Sequence, residues 1–314
     1  FLSFRDVNFR AIVRLSRLTD EMQWKDAQKL AETIKHPTKG VNCYRIISLL
    51  AQGKLNDKIF DVCLPFSPSK SPYFKEATIY SADEYFYASL FNMAYLYNMD
   101  GWVELSESYR GLKNMTTIAL LRNETELAKR FIRLMKEAPV LHSLASEYEK
   151  YIDDKDLMFE KYPIYKQLSK DQPHENIPQI IQNHISSFYI WYNGLKGVNV
   201  ERRLLAYLYQ HDIDRAIEEF VSLRERGWKE PAKRWLQEAI VLKSIQTNNL
   251  DFAKRLKIDP LLINSVLSCY KEFYKNPKMP IMEKGERMYE KYKGLYTYYY
   301  FFDNYKFNEI LPYK

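Results

Sequence analysis

The chain has 314 residues, 46% of them hydrophobic, enough to bury a substantial core and more than one compact body usually holds, so two domains or one elongated array is expected. It contains 9 Gly and 13 Pro, too few turn glycines for an all-β fold or a glycine-loop nucleotide-binding fold of this length. The net charge of +7 is carried by interleaved acids and bases, as in Glu124-Thr125-Glu126-Leu127-Ala128-Lys129-Arg130, a pattern that makes solvated helix faces and argues against a nucleic-acid surface.

No run reaches the roughly 18 consecutive apolar residues of a membrane span, and Phe1-Leu2-Ser3-Phe4-Arg5 lacks the apolar core of a signal peptide. A chain opening on Phe1 rather than Met is expected to be a trimmed piece, with room for a membrane segment upstream.

The first helical hairpin is marked by Phe9, Ile12, Val13 and Leu15, then by Trp24, Ala27, Leu30, Ala31 and Ile34, at a 3.6-residue period. Pro37 stops it. Tyr44, Ile47, Leu50 and Ala51 precede a turn at Gln52-Gly53-Lys54 and a short helix through Ile59 and Phe60. Residues 64–82, with Pro65, Pro68 and Pro72, predict a long connection that could bind a ligand.

Helical periodicity resumes at about Asp83, runs through Tyr87, Leu90, Phe91, Ala94 and Tyr95, and predicts a turn at Met99-Asp100-Gly101, after which Trp102 echoes Trp24. A tight turn around Asn123 leads into a helix burying Ala128, Phe131, Ile132 and Met135, which Pro139 ends; another helix carries Leu141, Leu144, Ala145 and Tyr148. Between Asp153 and Pro178 the pattern weakens, with Pro163, Pro173 and Pro178, and a junction is placed there. This divides the chain into helical-hairpin arrays at 1–152 and 153–314, or one continuous array.

Beyond it, Ile181 to Tyr192 reads as helix and Gly194-Leu195-Lys196-Gly197 as a turn. The clearest hairpin places Leu205, Tyr207 and Leu208 before the turn His211-Asp212-Ile213-Asp214, and Ala216, Phe220 and Leu223 after it, with Asp212 as the cap and Phe220 beneath Tyr207 or its neighbours. Helices follow from Pro231 to Thr247 and from Asp259-Pro260 to Tyr274. An aromatic tract of Tyr296, Tyr298, Tyr299, Tyr300, Phe301, Phe302 and Tyr305 is expected to seal the end of the array.

Tyr207, Ala216 and Phe220 resemble the tetratricopeptide consensus, with partial matches at Ala128 with Ile132 and at Ala27 with Ala31. The resemblance implies an all-α fold of tetratricopeptide-like helical-hairpin repeats wound into a right-handed solenoid, irregular in length because the spacing departs from a constant 34 residues. A wider similarity rests on Tyr44-Arg45, Leu50-Ala51-Gln52-Gly53-Lys54-Leu55, the aromatic helix from Glu84 to Tyr97, Glu107-Ser108-Tyr109-Arg110, Leu112-Lys113-Asn114-Met115 and the terminal Tyr-Phe tract. In these the chain resembles the soluble C-terminal part of an uncharacterised family of Bacteroidetes membrane proteins. That resemblance implies a membrane anchor outside this chain and a cell-envelope location, with the periplasmic face favoured. It supplies no catalytic motif.

His36, His142, His174, His184 and His211 lack the helical-turn pairing of a zinc site, and Asp153-Asp154-Lys155-Asp156 lacks the glycine and closing glutamate of a calcium loop, reading instead as a helix start. Cys43, Cys63 and Cys269 have no metal spacing, and Cys43 reads as a buried thiol. No phosphate-cradling glycine loop and no Gly-x-Ser-x-Gly elbow occurs. No metal or cofactor is expected.

The function expected is non-enzymatic: a protein- or peptide-binding module anchored through exposed rings, with Tyr85, Tyr87, Tyr95 and Tyr109 as the candidates. The alternative is an enzyme or binding protein for carbohydrate or another polar envelope substrate, using Glu84, Glu104 and Glu107 beside those tyrosines.

Overall fold

A computed structural model describes residues 7–34, 37–61, 74–105, 109–170, 200–209, 211–249 and 251–302. The expectations for His36, Cys63, Pro65, Pro68, Pro72, Glu107, residues 171–199 and Tyr305 lie outside them. Among the described residues the fold is all-helical, with 18 α-helices and no strand. They form two compact units, one from residues 1–70 and 183–314 and the other from residues 71–182.

The first unit opens with α1 (Val7–Asp20), α2 (Trp24–Glu32) and α3 (Lys39–Ala51), which pack on one another, and continues into α4 (Leu55–Lys58). Ala27 and Ala31, fully buried one turn apart on α2, let its backbone approach its neighbours closely. The unit resumes with α12 (Val200–Tyr209), α13 (Ile213–Glu225), α14 (Arg234–Gln246), α15 (Asp251–Arg255), α16 (Pro260–Lys275), α17 (Ile281–Tyr292) and α18 (Tyr296–Phe302). Helix α14 touches α12, α13, α15, α16 and α18 and is buried nearly all round, which makes it the unit's axis.

The two stretches of this unit are joined by side chains far apart in sequence. Trp235 Nε1 donates to the Asn56 carbonyl at 2.8 Å, and the Phe60 ring lies 5.0 Å from Tyr296 and 4.8 Å from Tyr299. The terminal aromatic tract packs into this unit: the hydroxyls of Tyr296 and Tyr299 donate to the Leu208 and Tyr209 carbonyls at 3.1 and 2.7 Å, and Tyr298 donates to Gly285 at 2.9 Å. Three buried phenols thus satisfy backbone acceptors, two at the C-terminus of α12.

In the second unit α5 (Phe74–Tyr87), α6 (Phe91–Leu105), α7 (Tyr109–Leu121), α8 (Thr125–Glu137), α9 (His142–Asp153), α10 (Lys155–Lys161) and α11 (Pro163–Lys170) each pack against the next in sequence. Helix α5 begins at Phe74, well before Asp83, where the periodicity becomes legible. The residue-153 boundary expected from sequence coincides with the end of α9, and α10 follows in contact with it inside this unit. Lys155 donates to the Leu121 carbonyl and to Asn123 Oδ1, each at 2.8 Å, setting a cation on the C-terminal carbonyls of α7.

One turn recurs in both units. Met22, Gly53, Ser89, Asn123, His211, Gly227 and Asn248 all have positive φ. In each case that residue's N–H bonds the carbonyl three back, and the next N–H bonds the carbonyl five back from itself, as in Gly53 to Leu50 and Lys54 to Leu49. This is the Schellman closure of a helix C-terminus. Five of the seven positions hold side-chain-bearing residues, which explains how so many hairpins form with so few glycines. The expected turn at Met99-Asp100-Gly101 is absent, and the three residues lie inside continuous α6.

The cap read from sequence at Asp212 is present, and Asp259 supplies a second. Asp212 accepts from the Arg215 N–H at 3.2 Å and Asp259 from the Leu261 N–H at 2.8 Å, with Pro260 opening α16. Pro231 lies upstream of α14 rather than in its first turn. Asp212→Ala is expected to lower stability by about 1 kcal/mol in urea unfolding, the usual worth of an N-cap; an unchanged midpoint would show that solvent replaces the cap without loss.

Candidate functional site

The candidate residues of the sequence cluster on α5, α6 and α7 in the second unit. Here α6 and its two neighbours enclose a polar network. The Asp83 carboxylate accepts from Arg110 Nη2 and, at 3.3 Å, from Asn114 Nδ2. Asn114 also reaches Asn98 Oδ1 at 3.5 Å, and Asn98 Nδ2 donates to the Ala94 carbonyl at 2.7 Å. Asp83, Asn98 and Asn114 are buried, so the network braces three helices across a buried interface. Breaking such a set is costly because the remaining groups stay buried and unpaired.

The same burial removes part of the candidate site. Tyr85 is buried and stacked on Tyr97 at 4.9 Å. Tyr87 is buried edge-on to Phe86 at 5.1 Å. Neither presents a ring to a ligand. Tyr95 is half-buried, 6.2 Å from the Phe131 ring, and Tyr109, 42% exposed, keeps an open face. Glu84 is buried, and the side chains of Glu104 and Glu107 lie outside the described residues. The three carboxylates are not brought together as an acid-base pair by anything described.

A different feature of α6 stands out. Its positions 91, 94, 98 and 101 are buried, while the opposite face carries Leu96, Met99 and Val103, spaced three and four residues apart. Leu96 is 49% and Val103 81% exposed, and Met99 is exposed as well. A single exposed apolar side chain is ordinary, but three on consecutive turns of one helix form a strip that water wets at a cost. The sequence carried a signal for it, since Phe91–Leu105 is apolar on nearly every side rather than on one stripe.

Among the described residues no group of three or more His, Cys, Asp or Glu side chains could hold a metal ion. Cys43 and Cys269 are buried free thiols, and burial pushes the Cys269 thiol up to about 12, where it carries no nucleophilic thiolate at neutral pH. Among the described residues no helix is long and apolar enough to cross a membrane.

Against known proteins, residues 2–303 match the model of a family described as a family of unknown function, DUF6057. No curated protein and no solved structure matches the chain.

Proposed function

Since this chain belongs to DUF6057, a family of unknown function, we propose that it is a non-enzymatic module of tetratricopeptide-like hairpins that docks an apolar helix or strand of a partner protein on the outer face of α6. The observation carrying this reading is the strip of Leu96, Met99 and Val103, exposed on three successive turns of a helix whose other face is fixed in the core. Burying these side chains releases roughly 25 cal/mol per Å² of apolar surface, and anchors of this kind sit on a helix already ordered before binding, so little entropy is lost there. Tyr95, half-buried on the same helix, and Tyr109, which opens α7, are the two candidate tyrosines that retain access for such contacts.

Site-specific photo-crosslinking in the organism of origin tests the proposal. A benzophenone side chain at Val103 is expected to give a discrete higher-mass adduct, lost when Leu96 and Met99 are changed to Asp. The same probe at exposed Lys229 should give none. Because these are surface changes, Leu96→Asp and Met99→Asp should alter stability by only about 0.5 kcal/mol each. Absence of the Val103 adduct, or its survival in the Asp variant, would overturn the reading.

A further inference from the structure

We propose that the cleft between α16 and α17 in the first unit is a binding site for a compact, multiply charged phosphate group. The cleft encloses about 340 Å³, at the small end of the roughly 300–1,000 Å³ typical of ligand sites. It is lined by Lys271 and Lys275, one turn apart on α16, and by Lys284 and Arg287, one turn apart on α17. Among the described residues none of these four cations forms an ion pair. The carboxylate in the lining, Glu272, is already engaged by Lys291 Nζ at 2.9 Å and the Tyr292 hydroxyl at 2.8 Å, and Arg287 adds a weaker attraction at longer range.

Lys284 distinguishes this cleft from an ordinary basic surface. It is 8% exposed, and its ammonium lies 4.6 Å from the centre of the Phe273 ring, which is itself stacked on Phe301 at 4.1 Å. The ring attracts the cation on one side but supplies no negative charge, so the largely buried stem of Lys284 holds its ammonium at the cleft with donors left for an anion. The three N–H donors of an ammonium cannot all be turned to one ring face.

The charge count selects the ligand. Four cations against one engaged carboxylate leave room for an anion carrying more than one charge, which fits a phosphate monoester or a pyrophosphate better than a carboxylate. Arg287 offers a planar fork for two phosphate oxygens, and the lysines act as point charges. A long nucleic acid fits poorly, because Glu283, Glu286 and Glu290 occupy exposed positions of the same α17 and would face its backbone.

Isothermal titration of the chain with inorganic pyrophosphate at fixed chloride concentration is the test. Saturable one-to-one binding is expected, weakened roughly tenfold or more in Lys284→Met and in Arg287→Gln. Lys284→Arg should restore it and Lys229→Ala should leave it unchanged. Co-sedimentation with phosphatidylcholine vesicles, with and without phosphatidate, separates the sources of the phosphate. Lys284-dependent sedimentation with phosphatidate vesicles supports a lipid headgroup, and pyrophosphate binding without sedimentation supports a soluble phosphorylated molecule. No saturable binding in either arm, or equal binding by the folded Lys284→Met and Arg287→Gln variants, overturns the proposal.

Discussion

Replacing Phe220 by Ala is expected to destabilise the protein by about 3–5 kcal/mol, the range for removing a fully buried aromatic ring. Phe220 is 1% exposed and lies on α13 one turn after Ala216, which is itself fully buried. Its ring meets Trp228 edge-on, with centroids 6.0 Å apart and planes at 90°. The Arg224 guanidinium lies over both rings, 5.0 Å from Phe220 and 5.3 Å from Trp228, and donates to the Trp228 carbonyl at 3.1 Å. Truncation therefore leaves a cavity and also removes the platform of a cation–π contact, and the methyl group of Ala216 cannot fill the space. Urea unfolding measures the loss. In a double-mutant cycle with Trp228→Ala, the pair should couple by roughly 0.5–1.5 kcal/mol. A loss below about 1 kcal/mol for Phe220→Ala would remove the ring from the core of this unit.

That contact also shows what the sequence could and could not display. The period of Ala216, Phe220 and Leu223 marks the buried face of α13 correctly, and all three are buried. The ring partner is a different matter. Trp228 follows the helix, beyond the Schellman turn at Gly227, and it is brought back by chain reversal rather than by helical spacing. Turns were legible where chemistry signals them, at Gly53, Asn123 and Asp212. They were illegible where Met22 and Ser89 adopt positive φ, because the hydrogen bonds of the closure, rather than the residue type, hold that conformation. Gly101 misled in the opposite direction: it is buried in mid-helix, where a small residue serves packing and not a turn.

The aromatic stretch from Glu84 to Tyr97, which reads as one helix, is split between α5 and α6 by the turn at Ser89, and its burial was illegible for a physical reason. Tyr85 and Tyr87 are two apart, which on an α-helix sets them on roughly opposite sides, so one would be expected outside. Every residue from Ala82 to Ser89 is nevertheless buried, and periodicity carries no information on a segment enclosed all round. The Asp83, Asn98 and Asn114 network needs three helices to exist, so no local pattern announces it. The joining of residues 55–60 to α14 and α18 is likewise a long-range pairing, made by Trp235 and by the rings around Phe60.

Stability is expected to fall by about 3 kcal/mol as pH rises from about 4.5 to above 7, through the titration of Glu238. This carboxyl lies on the central helix α14, 1% exposed, and burial, reinforced by the nearby charge of Asp61, pushes it up to about 7. Its oxygens accept from the backbone N–H of Tyr296 and, at 2.9 Å, from Arg234 Nε, and both donors pull in the other direction without cancelling the burial. Unfolded, a glutamate titrates near the ordinary value of about 4.3. Below that pH both states hold the proton and the full stability is present. Between the two values the unfolded chain has released the proton that the folded chain retains, so stability declines, and above about 7 the loss is complete. A gap of two to three units at roughly 1.4 kcal/mol each gives the magnitude. Asp61, half-buried and also raised by burial, acts in the same direction. Glu238→Gln keeps the shape of the protonated acid and cannot ionise, so urea unfolding of both proteins at pH 5 and pH 8 isolates the effect. Because part of the loss is already present at pH 5, the variant should gain on the wild type by about 2.5 kcal/mol between the two conditions. A difference that stays constant across them would mean that Glu238 is already ionised at pH 5, held there by Arg234 and the Tyr296 N–H.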